Sequence, residues 1–210
     1  MKKLNGLLMS LTGLTMLVTG CTSSQQFVLS AEIYNNQQQQ FIAHHGEGRF
    51  GSYLTMNINY APMKDLFDQV AASYPAKLKS RGEAHITVVT PPEYYDQLRS
   101  HLSMVEIDAL AANIQSSTFS VVCLGRAAVE INQQQQSALF IVLDSPELLA
   151  IRQQIQALYV KKGGNAADFN PTHFYPHITL GFTARDLHES DGVIKDKKSC
   201  YAQLASSTID

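Results

Sequence analysis

Glu83-Ala84-His85-Ile86-Thr87-Val88-Val89-Thr90 and Tyr175-Pro176-His177-Ile178-Thr179-Leu180-Gly181-Phe182 carry one pattern twice: His, apolar, Thr, apolar, at positions 92 residues apart. Both stretches are rich in strand-forming residues, and Pro91-Pro92 stops the first. Successive side chains on a strand point to opposite faces, so His85 and Thr87 share one face while Ile86 and Val88 turn to the other. His177 and Thr179 share a face in the same way, over Ile178 and Leu180. Each strand therefore offers an imidazole and a hydroxyl about 7 Å apart on an apolar backing. With seven histidines and an apolar fraction of 45%, two such tetrads arise by chance in roughly four chains per thousand.

Outward from these strands, helical and extended periods alternate. Ser52 to Asn59 alternates as a strand, and Met63 to Ser73 places Leu66, Phe67, Val70 and Ala71 at helical spacing. Glu93 to Leu102 and Val105 to Ala112 read as helices. Phe119 to Ile131 and Ala138 to Asp144 read as strands, joined by Gln133 to Gln136 as a hairpin loop. Pro146 starts a helix, Leu148 to Lys162, that Gly163-Gly164 ends. The order β-α-β, helices, β-β-α-β predicts an α+β fold of two pseudo-symmetric lobes, not a doubly wound parallel sheet. One motif strand falls in each lobe.

Imidazole, with a pKa near 6.5, serves as acid or base at neutral pH, so one histidine on each side of a phosphate can activate water and protonate the leaving oxygen. The hydroxyls of Thr87 and Thr179 can donate to non-bridging oxygens. Tyr53 and Tyr175 are candidate substrate contacts through stacking, and Lys161 and Lys162 can attract phosphate. His101 and His188 read as surface residues. His173 and His177 have an H-x3-H spacing, but Pro176 blocks the helix that would bring both to one metal, so no metal or cofactor is expected.

The paired motifs resemble those of the 2H phosphoesterase superfamily, whose defining feature is two His-x-Thr/Ser motifs facing each other across a cleft. The similarity runs from about Gly51 to Phe182, and Tyr175 to Phe182 is its more specific half. It implies two lobes, each an antiparallel-type sheet with flanking helices, around a central cleft. It also implies metal-free cleavage of small cyclic phosphodiesters, such as 2′,3′-cyclic nucleotides, or of 2′-5′ linkages. Thr90-Pro91-Pro92 departs from the pattern after the first motif, so the substrate stays open. A lipoprotein that binds a nucleotide or a partner without turnover is the alternative.

Lys2 and Lys3 precede an apolar run, Leu4 to Val18, too short for a permanent transmembrane helix, which reads as a secretory signal over 1–20. Val18-Thr19-Gly20-Cys21 resembles the lipobox of bacterial lipoproteins. That resemblance implies lipidation at Cys21 and, with Thr22 following, an outer-membrane location facing the periplasm. The polar stretch to Arg49, with Gln37 to Gln40, reads as a tether over 21–49 in which His44 and His45 are solvated. The domain then occupies 50–190 and a tail 191–210. Sixteen Lys plus Arg against 18 Asp plus Glu leave a charge of −2, or −4 once Lys2 and Lys3 are removed. This balance excludes gripping long nucleic acid through its phosphates; the expected partner is a small nucleotide or cyclic phosphate, met by a monomer. Cys123 and Cys200 remain, and an oxidising compartment allows a disulfide between them.

Overall fold

The computed structural model describes residues 26–207; the signal-like segment and Cys21 lie outside the described residues. In chain order come β1 (Phe27–Ser30), β2 (His44–His45), β3 (Ser52–Asn57), α1 (Tyr60–Ser73) and β4 (His85–Val89). A π-helical segment, Glu93–Leu98, and α2 (Met104–Leu110) follow. The second half holds β5 (Ser120–Ile131), β6 (Gln134–Asp144), α3 (Pro146–Lys161), β7 (His177–Phe182), β8 (Cys200–Ala202) and β9 (Leu204–Ser207). β2-β3-β4 form one antiparallel sheet and β7-β6-β5-β8 a second, while β1 and β9 pair in parallel. The fold is the expected mixture of helices and antiparallel sheets.

Local chemistry sets the helix ends. The Asn59 side chain accepts from Ala61 N at the start of α1, and Ser145 accepts from Leu148 N at the start of α3, whose first turn holds Pro146. On α1, Pro62, Met63, Leu66 and Val70 are buried, and on α3 Leu148, Ile151, Ile155 and Tyr159, each set at helical spacing on one face. The lobes interlock, because α1 packs against β7 and α3 against β4. Lys79 and Phe182 exchange backbone hydrogen bonds of 2.8 and 3.0 Å between them. Ile86, Val88, Ile178 and Leu180 consequently enter one core. Each such burial contributes roughly 1.5–3 kcal/mol, so a one-residue slip of either motif strand would expose its apolar face and is strongly disfavoured.

Four sequence expectations need correction. Residues 21–49 are not a free tether from Phe27 onward: Phe27, Leu29 and Ile33 are buried, at 6%, 5% and 0% exposure. Polar side chains fasten this segment, with Asn36 Nδ2 donating to Gln115 O and Ser117 O at 2.6 and 3.0 Å. Gln69 similarly binds Val28 N and O, both at 2.9 Å. Nor do the described residues of the expected tail, 191–207, hang loose, since β9 pairs with β1, and Cys200 is bonded to Cys123 with Cα atoms 5.7 Å apart. That disulfide joins β8 to β5. The hairpin loop is only Asn132-Gln133, both with positive φ as a two-residue turn between twisted strands requires; Gln134, Gln135 and Gln136 are paired in β6. The helix expected over Glu93 to Leu102 is the shorter π-helical segment.

Candidate active site

Both motif strands keep the alternation their sequences predict. Ile86, Val88, Ile178 and Leu180 are buried, whereas His85, Thr87, His177 and Thr179 are partly open and line one cleft of about 830 Å³. In the first sheet His85 lies opposite Asn57 and Thr87 opposite Thr55. In the second, His177 lies opposite Val142 and Thr179 opposite Phe140. The Phe140 and His177 rings are T-shaped to each other, with centroids 5.9 Å apart. Four candidates separated by up to 94 residues thus reach one cavity.

The two histidines have different partners. His85 Nδ1 lies 2.7 Å from Glu83 Oε2, and His177 Nδ1 lies 2.8 Å from the carbonyl oxygen of Tyr175. Carbonyl and ionised carboxylate oxygens only accept, so each Nδ1 carries a hydrogen and Nε2 is left for chemistry. The hydrogen bond from His85 holds the Glu83 carboxyl below its ordinary value. Burial pushes His177 well below the usual imidazole range, and the nearby Lys195 charge adds to this. His177 is therefore neutral at pH 7, with an unprotonated Nε2.

The threonines also differ in their hydrogen-bond partners. Thr87 Oγ1 has no hydrogen-bond partner among the described residues. Thr179 Oγ1 donates to Asp186 Oδ2 at 3.0 Å, so its only proton is already used. Asp186 is a hub: Oδ2 also accepts from Arg81 at 3.1 Å, and Oδ1 accepts from Lys195 Nζ at 2.8 Å and Leu187 N at 2.9 Å. Burial raises the Asp186 carboxyl, but the Lys195 charge and hydrogen bond outweigh it and hold the group at about 2.

Tyr53 and Tyr175 both line the cleft, each against a second ring. Tyr53 stacks on His44 at 4.0 Å, and Tyr175 meets His173 edge-on at 5.1 Å. His44 is thereby removed from the solvated pair expected for it, and His45 Nε2 bonds Asp108 Oδ2 at 2.5 Å. His188 lies at the rim of the cleft. Lys162 pairs with Glu106 at 2.6 Å, and neither it nor Lys161 lines the cleft.

Sequence reasoning missed Arg81, Asp186, Lys195, Glu83 and Arg152. Glu83 alone left a readable trace: two residues before His85, it would share that histidine's face if the strand extended to it. Arg152 is 1% exposed and donates to Val88 O, Pro171 O, Asn170 O and His173 O at 2.7–3.1 Å, as well as to both oxygens of Glu93. It fastens the end of the first motif strand to the loop that leads into the second.

Residues 52–188 match the family model described as "2H-SAK: Swiss Army Knife, 2H phosphoesterase domain". No curated protein and no solved structure matches the chain.

Proposed function

The chain belongs to the 2H phosphoesterase family, and on that footing we propose that it hydrolyses a small cyclic phosphodiester without a metal, using His177 as base and His85 as acid. The contrast between the two Nδ1 partners carries this reading. A backbone carbonyl orients neutral His177 without adding charge, so its Nε2 can take a proton from water. The Glu83 carboxylate offsets the positive charge that His85 bears while its Nε2 also holds a proton. The water oxygen bonds to phosphorus as its proton passes to His177. The P–O bond to the leaving sugar oxygen breaks as His85 protonates that oxygen. The product is a phosphomonoester, and proton exchange with solvent resets the pair. Thr87 donates to a non-bridging oxygen as charge builds there, while Tyr53 and Tyr175 flank the base or sugar.

The experiment is product identification by mass spectrometry on 2′,3′-cyclic nucleotides, ADP-ribose cyclic phosphate and 2′-5′ dinucleotides, in excess EDTA. One of these should yield a product with water added across a phosphodiester, at the same rate with and without EDTA, because imidazole activates the water. Restoration of lost turnover by zinc or manganese would move the assignment to a metal mechanism, and no turnover on any substrate would favour a binding role.

The reading includes a place in the cell envelope, anchored through lipidated Cys21. The Cys123–Cys200 disulfide supports export, since such bonds persist in oxidising compartments. Cys21→Ser should shift the protein from the membrane fraction to the soluble one. Unchanged partitioning, with no acyl mass on the wild-type N-terminus, would rule the anchor out.

A further inference from the structure

Thr179 Oγ1 donates to the buried Asp186 carboxylate beside the second motif. The same carboxylate gathers two cations, Arg81 and Lys195, so the three groups sum to one positive charge next to Thr179. Lys195 and Asp186 are 4% and 5% exposed at the side chain, whereas Arg81 is 36% exposed and lines the cleft. Among the described residues Arg81 uses one of its five N–H donors, the one on Asp186.

The Glu83 carboxylate, which also feels the Arg81 charge, is bound to His85 at 2.7 Å. Arg152 and Glu93 form a buried pair that neutralises itself. Glu189 is exposed and bound to His173, and Asp168 is exposed and accepts from the Tyr159 hydroxyl. Exposed charges are screened by water and salt, whereas the Asp186 and Lys195 charges that flank Arg81 are buried. Lys195 is fixed in place, its ammonium 5.4 Å from the centre of the Phe140 ring, the same ring that packs against His177.

Resting on the phosphoesterase reading for the class of ligand, we infer that Arg81 is the anion-binding residue of this cleft, contacting the non-bridging oxygens of the phosphate directly. Asp186 and Lys195 act through it as positioning residues. A guanidinium presents parallel N–H groups that match two oxygens of a phosphate, and one pinned to a buried carboxylate loses little further freedom on binding. Asp186 thus holds Arg81 ready in the cleft beside Thr179. The substrate class is a phosphodiester that keeps its negative charge.

The test uses the full chain and inorganic phosphate as the probe, followed by calorimetry, so that it needs no turnover. Arg81→Ala should weaken phosphate binding on the order of 10–100-fold, which is what a charge-assisted hydrogen bond contributes. Arg81→Lys should recover part of that loss, because it keeps the charge and lacks the fork, while Arg81→Gln should not. On a cyclic substrate, Arg81→Ala should raise KM as well as lower kcat. A role confined to the ion pair with Asp186 would instead lower the melting temperature of all three variants and leave phosphate affinity unchanged. That result, or a wild-type chain that does not bind phosphate at millimolar concentration, overturns the assignment. Turnover by the wild type in either case would leave the phosphoesterase reading standing.

Discussion

His177→Ala and His85→Ala are each expected to lower kcat on the order of 10²–10⁴-fold while the fold survives, because both side chains lie on the open face of strands whose buried faces are apolar. The double substitution should be little worse than either single one, since an acid and a base that act together are not additive. The pH profile should separate the two roles. His177 works unprotonated, and burial lowers its pKa from the ordinary 6.5. The limb of kcat/KM that it controls should therefore lie on the acid side of 6.5, with activity kept as pH falls through that value and lost only below it. The same shift links to stability. Above 6.5 the neutral ring that the fold requires is also the unfolded form; below it the unfolded chain binds the proton first, so His177 reduces stability progressively down to its own lowered value. In His177→Ala that acid limb should vanish from the residual rate. A folded His177→Ala protein with wild-type turnover would end the mechanism.

Arg152→Ala is expected to cost about 3–5 kcal/mol of stability, because it leaves the nearly buried Glu93 carboxylate without its counter-charge. It also orphans four backbone carbonyls, and it removes a guanidinium set over the rings of Phe169 and Phe174 at 4.7 and 5.0 Å. For a chain of this size that loss corresponds to a melting temperature lower by roughly 6–20 °C. Arg152→Lys should recover little, since one ammonium cannot reach acceptors spread around a planar fork. Because Arg152 ties Val88 to Asn170 and His173, any active fraction should also misplace one motif relative to the other. Thermal melts of both variants decide the point, and a fall of less than about 2 °C in Arg152→Ala would show that the cluster is not a structural tie.

The active-site strands were legible because the pleat is local. Its period of two depends on adjacent residues, so His85 and Thr87 could be assigned to one face, and Ile86 and Val88 to the other, with no knowledge of a partner strand. Helix α3 was legible for the same reason, with Pro146 at its start and Gly163 with φ +97° at its end. The segment from Phe27 to Arg49 was not. Its polar residues satisfy backbone groups of elements far along the chain, as Asn36 does across 79 residues to Gln115, and no local period records such a bond.

Strand alternation, helix caps and the repeated His-x-Thr pattern were set by the sequence alone, since each depends on residues within one turn or two pleats of one another. Only the tertiary structure decided that the two threonines are unequal, that Arg81 and Lys195 meet on Asp186, and that His177 is neutral. Those facts depend on burial and on charges brought together over as many as 105 residues, from Arg81 to Asp186. Electrostatic energies follow distance in space and exclusion of water, and neither quantity is written along the chain.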